Sequence, residues 1–144
     1  MRKTIPLLLL TVLGTFTIGC ISAQSARGNY KKTISTKDFQ KALNAALSNN
    51  SFAITYSNDQ GNVTTDWKSY RILLTECRVK LIINFSDGNL LIKPITQAMG
   101  QYGWGPEGNY PDEDTKRMVA KVVRELSEML KTEIPFTWVD EKPE

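Results

Sequence analysis

Apolar and polar residues alternate most regularly from Glu76 to Gln97, in two runs joined by Asp87-Gly88. Asp-Gly between such runs is a strong signal for a two-residue hairpin, because both central positions of a type I′ turn take positive φ. The turn sets a register in which Phe85 faces Leu90, Ile83 faces Ile92, Leu81 faces Pro94 and Cys77 faces Ala98. One face of the predicted hairpin is then almost wholly apolar. The other carries Glu76, Arg78, Lys80, Asn84, Lys93 and Gln97, but also Ile82, Leu91, Ile95 and Met99. A sheet face in water alternates cleanly, so these four large apolar side chains predict either partial cover by another segment or a contact surface. Pro94 cannot donate a ladder bond, which predicts an edge strand, a bulge or a break there.

Before the hairpin, Ser35 to Asp38 has capping-box spacing with Ile34 and Phe39 placed as a hydrophobic staple. Phe39, Ala42, Leu43, Ala46 and Leu47 then recur at helical spacing until Ser48-Asn49-Asn50-Ser51 stops them. Phe52, Ile54 and Tyr56 alternate up to a turn at Asn58 to Asn62, and Val63, Thr65 and Trp67 continue the alternation on the return. Ile72-Leu73-Leu74 reads equally as strand, linker or short helical turn. After the hairpin, Gly100 to Pro111 holds four glycines, two prolines and three aromatics. Loops of this composition make binding surfaces at low entropic cost; alternatively Tyr102, Trp104 and Tyr110 fold back over the sheet edge. Asp112, Glu113 and Asp114 open a last helix, complementing its dipole as Lys131 does at the far end. Met118, Val119, Val122, Val123, Leu126, Met129 and Leu130 form its apolar stripe. Three adjacent acids could also suggest calcium, but no loop of regularly spaced ligands accompanies them. The tail from Ile134 to Val139 is apolar and extended, and Phe136 and Trp138 are expected to cover Ile82, Leu91 and Ile95.

The predicted fold class is α+β: an antiparallel sheet of about four strands against one long C-terminal helix and one shorter N-terminal helix. The predicted organisation is a signal segment over 1–23, a flexible tether over 24–33, a single domain over 34–139 and an acidic tail over 140–144.

The signal segment follows from Arg2 and Lys3 ahead of an apolar run over 5–18 and small residues at Gly19, Cys20, Ser22 and Ala23. Two cleavages compete. One uses Thr17-Ile18-Gly19-Cys20 as a lipobox and lipidates Cys20; the other cuts after Ala23. Either leaves Cys77 without an intrachain partner. With Cys20 lipidated, Arg27, Lys31 and Lys32 are expected near the headgroups. The chain has eighteen Lys and Arg, fifteen Asp and Glu and no histidine. Without Arg2 and Lys3 the balance is sixteen to fifteen, which argues against a nucleic-acid partner. Lack of histidine excludes Cys-His and Ser-His catalysis and histidine-containing zinc sites. Cys77, on the apolar face, reads as a small buried hydrophobe.

The order helix, four strands, long helix, carried by the helix ending in Leu47, the Gly61-Asn62 turn, the Asp87-Gly88 turn and the helix from Asp112, resembles helix-grip or TBP-like domains of bacterial envelope proteins. The similar groups are the lipoprotein C component of the outer-membrane β-barrel assembly machinery and secreted TBP-like domains of unknown function. The resemblance implies a fold and a compartment but no reaction. The functional expectation is a non-enzymatic, exported protein, periplasmic or lipid-anchored, that binds a protein partner through Tyr102, Trp104 and Tyr110 or through Ile82, Leu91, Ile95 and Met99. No catalytic residue, metal or cofactor is assigned. The alternatives are a carrier of a glycan or lipid, and a hydrolase built on Asp, Glu, Lys and Ser.

Overall fold

The computed structural model describes residues 22–142, and its centre is the Asp87-Gly88 turn, with φ of 48° at Asp87 and 80° at Gly88. Glycine is required at the second position, since a Cβ there would lie 2.8 Å from the Tyr30 carbonyl oxygen. The turn joins β5 (Thr75–Ser86) to β6 (Asn89–Gly100). Their register pairs Phe85 with Leu90, Ile83 with Ile92, Leu81 with Pro94 and Cys77 with Ala98, as the turn chemistry predicts.

Around this hairpin lie β1 (Gln24–Asn29), β2 (Ile54–Ser57), β3 (Asn62–Thr65), β4 (Lys68–Ile72), β7 (Gly103–Trp104) and β8 (Phe136–Asp140), with helices α1 (Thr36–Asn49) and α2 (Glu113–Leu130). The strands form one antiparallel sheet in the order β2-β3-β5-β6-β1-β8, with β4 also on β5 and β7 on β6. This overturns the expectation of about four strands packed against one long helix. The protein is sheet-dominated, with eight strands and two helices among the described residues, and neither the α+β class nor a helix-grip arrangement is supported.

The difference arises at the sheet's margins. The segment read as a tether is β1, inserted between β6 and β8, with Ala26 opposite both Ile92 and Trp138. Its buried residues Ser25, Ala26 and Gly28 are small where space is tight: a Cβ on Gly28 would come within 3.1 Å of the Pro135 carbonyl oxygen. Short side chains leave no hydrophobic alternation to read. The tail is β8, the outer strand, and Phe136 and Trp138 pack against the core rather than over Ile82, Leu91 and Ile95. Pro94 sits in an inner strand, at neither an edge nor a break. Its missing donor falls where the neighbour along β6 changes from β1, which pairs as far as Ile92, to Gly108, which pairs with Thr96.

Both helices cover one face. Ser35 caps α1 by accepting from the Asp38 N–H at 3.1 Å, and Phe39, Ala42, Leu43, Ala46 and Leu47 are all buried. From α2 come Thr115, Val119, Val122, Val123 and Leu126, while Met129 stays outside the core. They meet Val79, Leu81, Ile83, Phe85, Leu90 and Ile92 of the sheet. Each large side chain so buried contributes about 1.5–3 kcal/mol.

Candidate binding face

The opposite face of the sheet carries no helix, and a backbone irregularity decides what it displays. β3 pairs Thr64 with Ile82, whereas β4 pairs Lys68 with Val79, so one extra residue enters between them. A bulge of this kind turns the following side chains over. Asp66 holds it open: its N–H donates to the Ala53 carbonyl at 2.7 Å, and its carboxylate accepts from the Trp67 N–H at 2.7 Å. The Leu81 N–H is taken by Thr65 Oγ1 at 2.9 Å. Simple alternation puts Trp67 on the core face with Val63 and Thr65; the bulge sends it to the open face.

There Trp67 meets Arg78. The guanidinium lies 4.4 Å from the centre of the Trp67 ring and 4.3 Å from that of Trp104, so the cation is held against two indoles. Arg78 Nε donates to Gln97 Oε1 at 2.8 Å, and Gln97 Nε2 donates to the Gly105 carbonyl at 2.7 Å. Lys80 Nζ is 4.6 Å from the Trp67 ring and 3.5 Å from Glu107. Planar guanidinium suits this setting, since it stacks on rings and still presents in-plane donors. Among the described residues Gln97 is the sole hydrogen-bond acceptor for the Arg78 side chain, which leaves its terminal N–H groups unengaged.

The glycine-rich loop is pinned to the sheet. Gly105 N–H donates to Ala98 and Gly108 exchanges both backbone bonds with Thr96, continuing the edge beyond β1. The three aromatics differ in exposure. Trp104 is half-buried on Arg78, Tyr102 is fully exposed at the turn between β6 and β7, and Tyr110 is half exposed near the loop's end. Of the four apolar residues expected on the mixed face, Ile82 is 40% and Met99 37% exposed, Leu91 is half-buried and Ile95 is buried. Trp104 pairs with Met99 and Lys80 with Ile95, which joins the apolar patch to the cation stack. Arg78, Lys80 and Gln97 were readable on this face from the hairpin register. Trp67 was not, because nothing in its local alternation marks the bulge; the available signal was Asp66, a residue that bonds its neighbouring backbone.

Several other polar groups are occupied by structure. Asp112 caps α2, accepting from Thr115 N–H at 2.8 Å, and its second oxygen accepts from the Tyr70 hydroxyl at 2.6 Å. Burial first, and then this carboxylate, push the Tyr70 hydroxyl pKa well above the ordinary tyrosine range. Asp114 pairs with Arg117 at 3.1 Å, so two of the three acids serve the helix start. Cys77 is buried, and burial, then Asp112, raise its thiol pKa. Neither environment favours a thiolate nucleophile. The layer between helices and sheet is filled by fully buried side chains. A surface concavity of about 810 Å³ runs between α1 and the Asn58 turn and is lined by polar residues such as Lys37, Gln40 and Asn44. Cys20 lies outside the described residues. No family model and no curated protein matches this chain.

Proposed function

We propose that this chain is a non-enzymatic, exported domain of a bacterial cell envelope that binds a protein partner through the open face of its sheet. The observation that carries the reading is Arg78, held between Trp67 and Trp104 with unengaged terminal N–H groups and flanked by exposed Ile82 and Met99. Tryptophan and arginine dominate binding energy at protein interfaces, where a rigid central anchor is ringed by apolar contacts. A guanidinium fixed by stacking loses little freedom on binding, and its open edge suits a carboxylate or carbonyl group of the partner.

The envelope address rests on the sequence of the first 23 residues. Lipidation at Cys20 leaves three residues, 21–23, before β1; cleavage after Ala23 starts the mature chain on β1 itself. Comparative pull-down from envelope extract tests the binding reading. Wild type retains a partner that Arg78→Ala and Ile82→Asp both lose, while Tyr110→Ala keeps it. Identical partner lists for wild type and Arg78→Ala would sink the open-face reading.

A further inference from the structure

Two hairpin turns at one end of the sheet carry the most exposed large apolar side chains among the described residues. Leu73 and Leu74, joining β4 to β5, are 93% and 97% exposed, and Tyr102, joining β6 to β7, is 96% exposed. The register sets them side by side. Cys77 faces Ala98 and Gly100 pairs with Gly103, so the start of β5 and the end of β6 lie at the same end. Leu73 also has a φ of 54°, a left-handed conformation that favours glycine or asparagine. The turn would form more easily with a polar residue, so its own geometry does not explain a leucine there.

β1 runs antiparallel to β6, pairing Asn29 with Asn89 and Ala26 with Ile92. Followed backwards it heads for the same end; its pairing with β6 stops at Ala26, and the same spacing carried on would put Ser22 level with Thr96, with Gly108 lying between. Four residues of strand, roughly 13 Å at about 3.4 Å per residue, separate that level from Gly100. Cys20 precedes Gln24 by only three intervening residues, a reach of at most about 14 Å from one Cα to the other. An anchor at Cys20 therefore holds this end, and no other, against a bilayer. Lys31 and Lys32 lie at the opposite end, beside Gly88, and are not near such an anchor.

We infer that the Leu73-Leu74 and Gln101-Tyr102 tips form a lipid-contacting end that enters the interfacial layer of a membrane and stands the sheet upright on it. Two narrow tips suit penetration between lipids but offer far less area than a stable protein interface of about 1,000 Å² or more. The charges nearest in sequence to Leu73-Leu74, Arg71 and Glu76, pair with each other at 3.1 Å, so no unpaired cation at this turn calls for anionic lipid. Upright docking leaves the open face directed sideways, accessible to a partner. The inference rests on the Cys20 reading only for the nearness of a membrane, and the mass of the mature N-terminus tests that reading separately.

The test uses the full-length chain carrying Cys20→Ser, with an environment-sensitive nitrobenzoxadiazole dye at Leu74→Cys or at Gln101→Cys; Cys77 is buried. Vesicles of zwitterionic phosphatidylcholine are expected to blue-shift both dyes and raise their emission at least threefold, with quenching by nitroxides in the upper acyl chain. The same dye at Ile82→Cys is expected to stay unchanged. Leu73→Asn, which fits the left-handed turn and should fold at least as well, is expected to reduce the response at Gln101→Cys by at least half. The inference is overturned if both tips remain unresponsive to the vesicles, whether or not the chain floats with them. A response at Ile82→Cys equal to that at the tips also overturns it, as does an equal change with protein concentration alone, which would make a second copy the occupant.

Discussion

The Arg78 guanidinium lies over the Trp104 ring, 4.3 Å from its carbon to the ring centre, and this contact ties the glycine-rich loop to the sheet. Trp67 supplies the other ring at 4.4 Å. If the stack is a preformed anchor, its parts should be energetically coupled before any partner arrives. A double-mutant cycle of Trp104→Ala and Arg78→Ala, read by urea unfolding, is expected to give a coupling of about 0.5–2 kcal/mol. Arg78→Lys should recover less than half of it, because an ammonium does not stack as a planar guanidinium does.

Gly61 tests the bulged edge. Its φ is 84°, and a Cβ would sit 1.9 Å from the Phe85 carbonyl oxygen, whose own N–H bonds to Gly61. Gly61→Ala is expected to cost at least about 2 kcal/mol, combining left-handed strain with backbone overlap. Gly103 has a φ of 112° but open space around it. Gly103→Ala should therefore pay mainly the backbone strain, about 1–2 kcal/mol. Equal losses in chemical denaturation would contradict the steric account.

Tyr70 links β4 to the start of α2 through Asp112 and Thr115. Its folded pKa is raised above the unfolded value, so the stabilisation is fully present below the ordinary tyrosine pKa of about 10. It is lost as pH climbs from there through the folded value. Tyr70→Phe should cost about 1.5 kcal/mol at neutral pH and flatten the fall in urea midpoint above about pH 10. Parallel alkaline limbs for the two proteins would show that Tyr70 does not titrate with folding.

Cys77 is 5% exposed, and its Sγ lies 3.8 Å from the Thr75 carbonyl oxygen. In native buffer its modification by a thiol reagent is expected to be at least a hundredfold slower than in urea, tracking opening of the sheet. Rapid native labelling would mean that the β4–β5 end opens on its own.

The parts of this molecule that were legible in its sequence are those set by local chemistry. Asp87-Gly88 imposed the register of β5 and β6, Ser35 set the start of α1, and the spacing of Phe39 to Leu47 marked the buried stripe of α1. What escaped depends on distant partners. β1 is strand because β6 and β8 receive it from both sides, and its Ala26 and Gly28 are small because the neighbouring backbone is close. Such residues look like a tether until their neighbours are known. Leu73-Leu74 gave no clear reading because leucine is an unusual choice at a positive φ. The candidate site was half legible: Arg78, Lys80, Gln97, Ile82 and Met99 followed from the hairpin register, whereas Trp67 depended on a bulge held by Asp66 and the Ala53 carbonyl. The loop aromatics were grouped by proximity in sequence, and they differ in exposure.

The central claim is that the open face, anchored by Arg78, is where a protein partner sits. Its most direct test is a photo-crosslinking amino acid placed in living cells at Ile82, at Met99 and, on the exposed side of α2, at Arg124. The account predicts one adduct of discrete mass from Ile82 and Met99, absent from Arg124, and reduced at least tenfold when Arg78→Ala is added. An adduct confined to Arg124, or one from Ile82 that Arg78→Ala leaves unchanged, would contradict it.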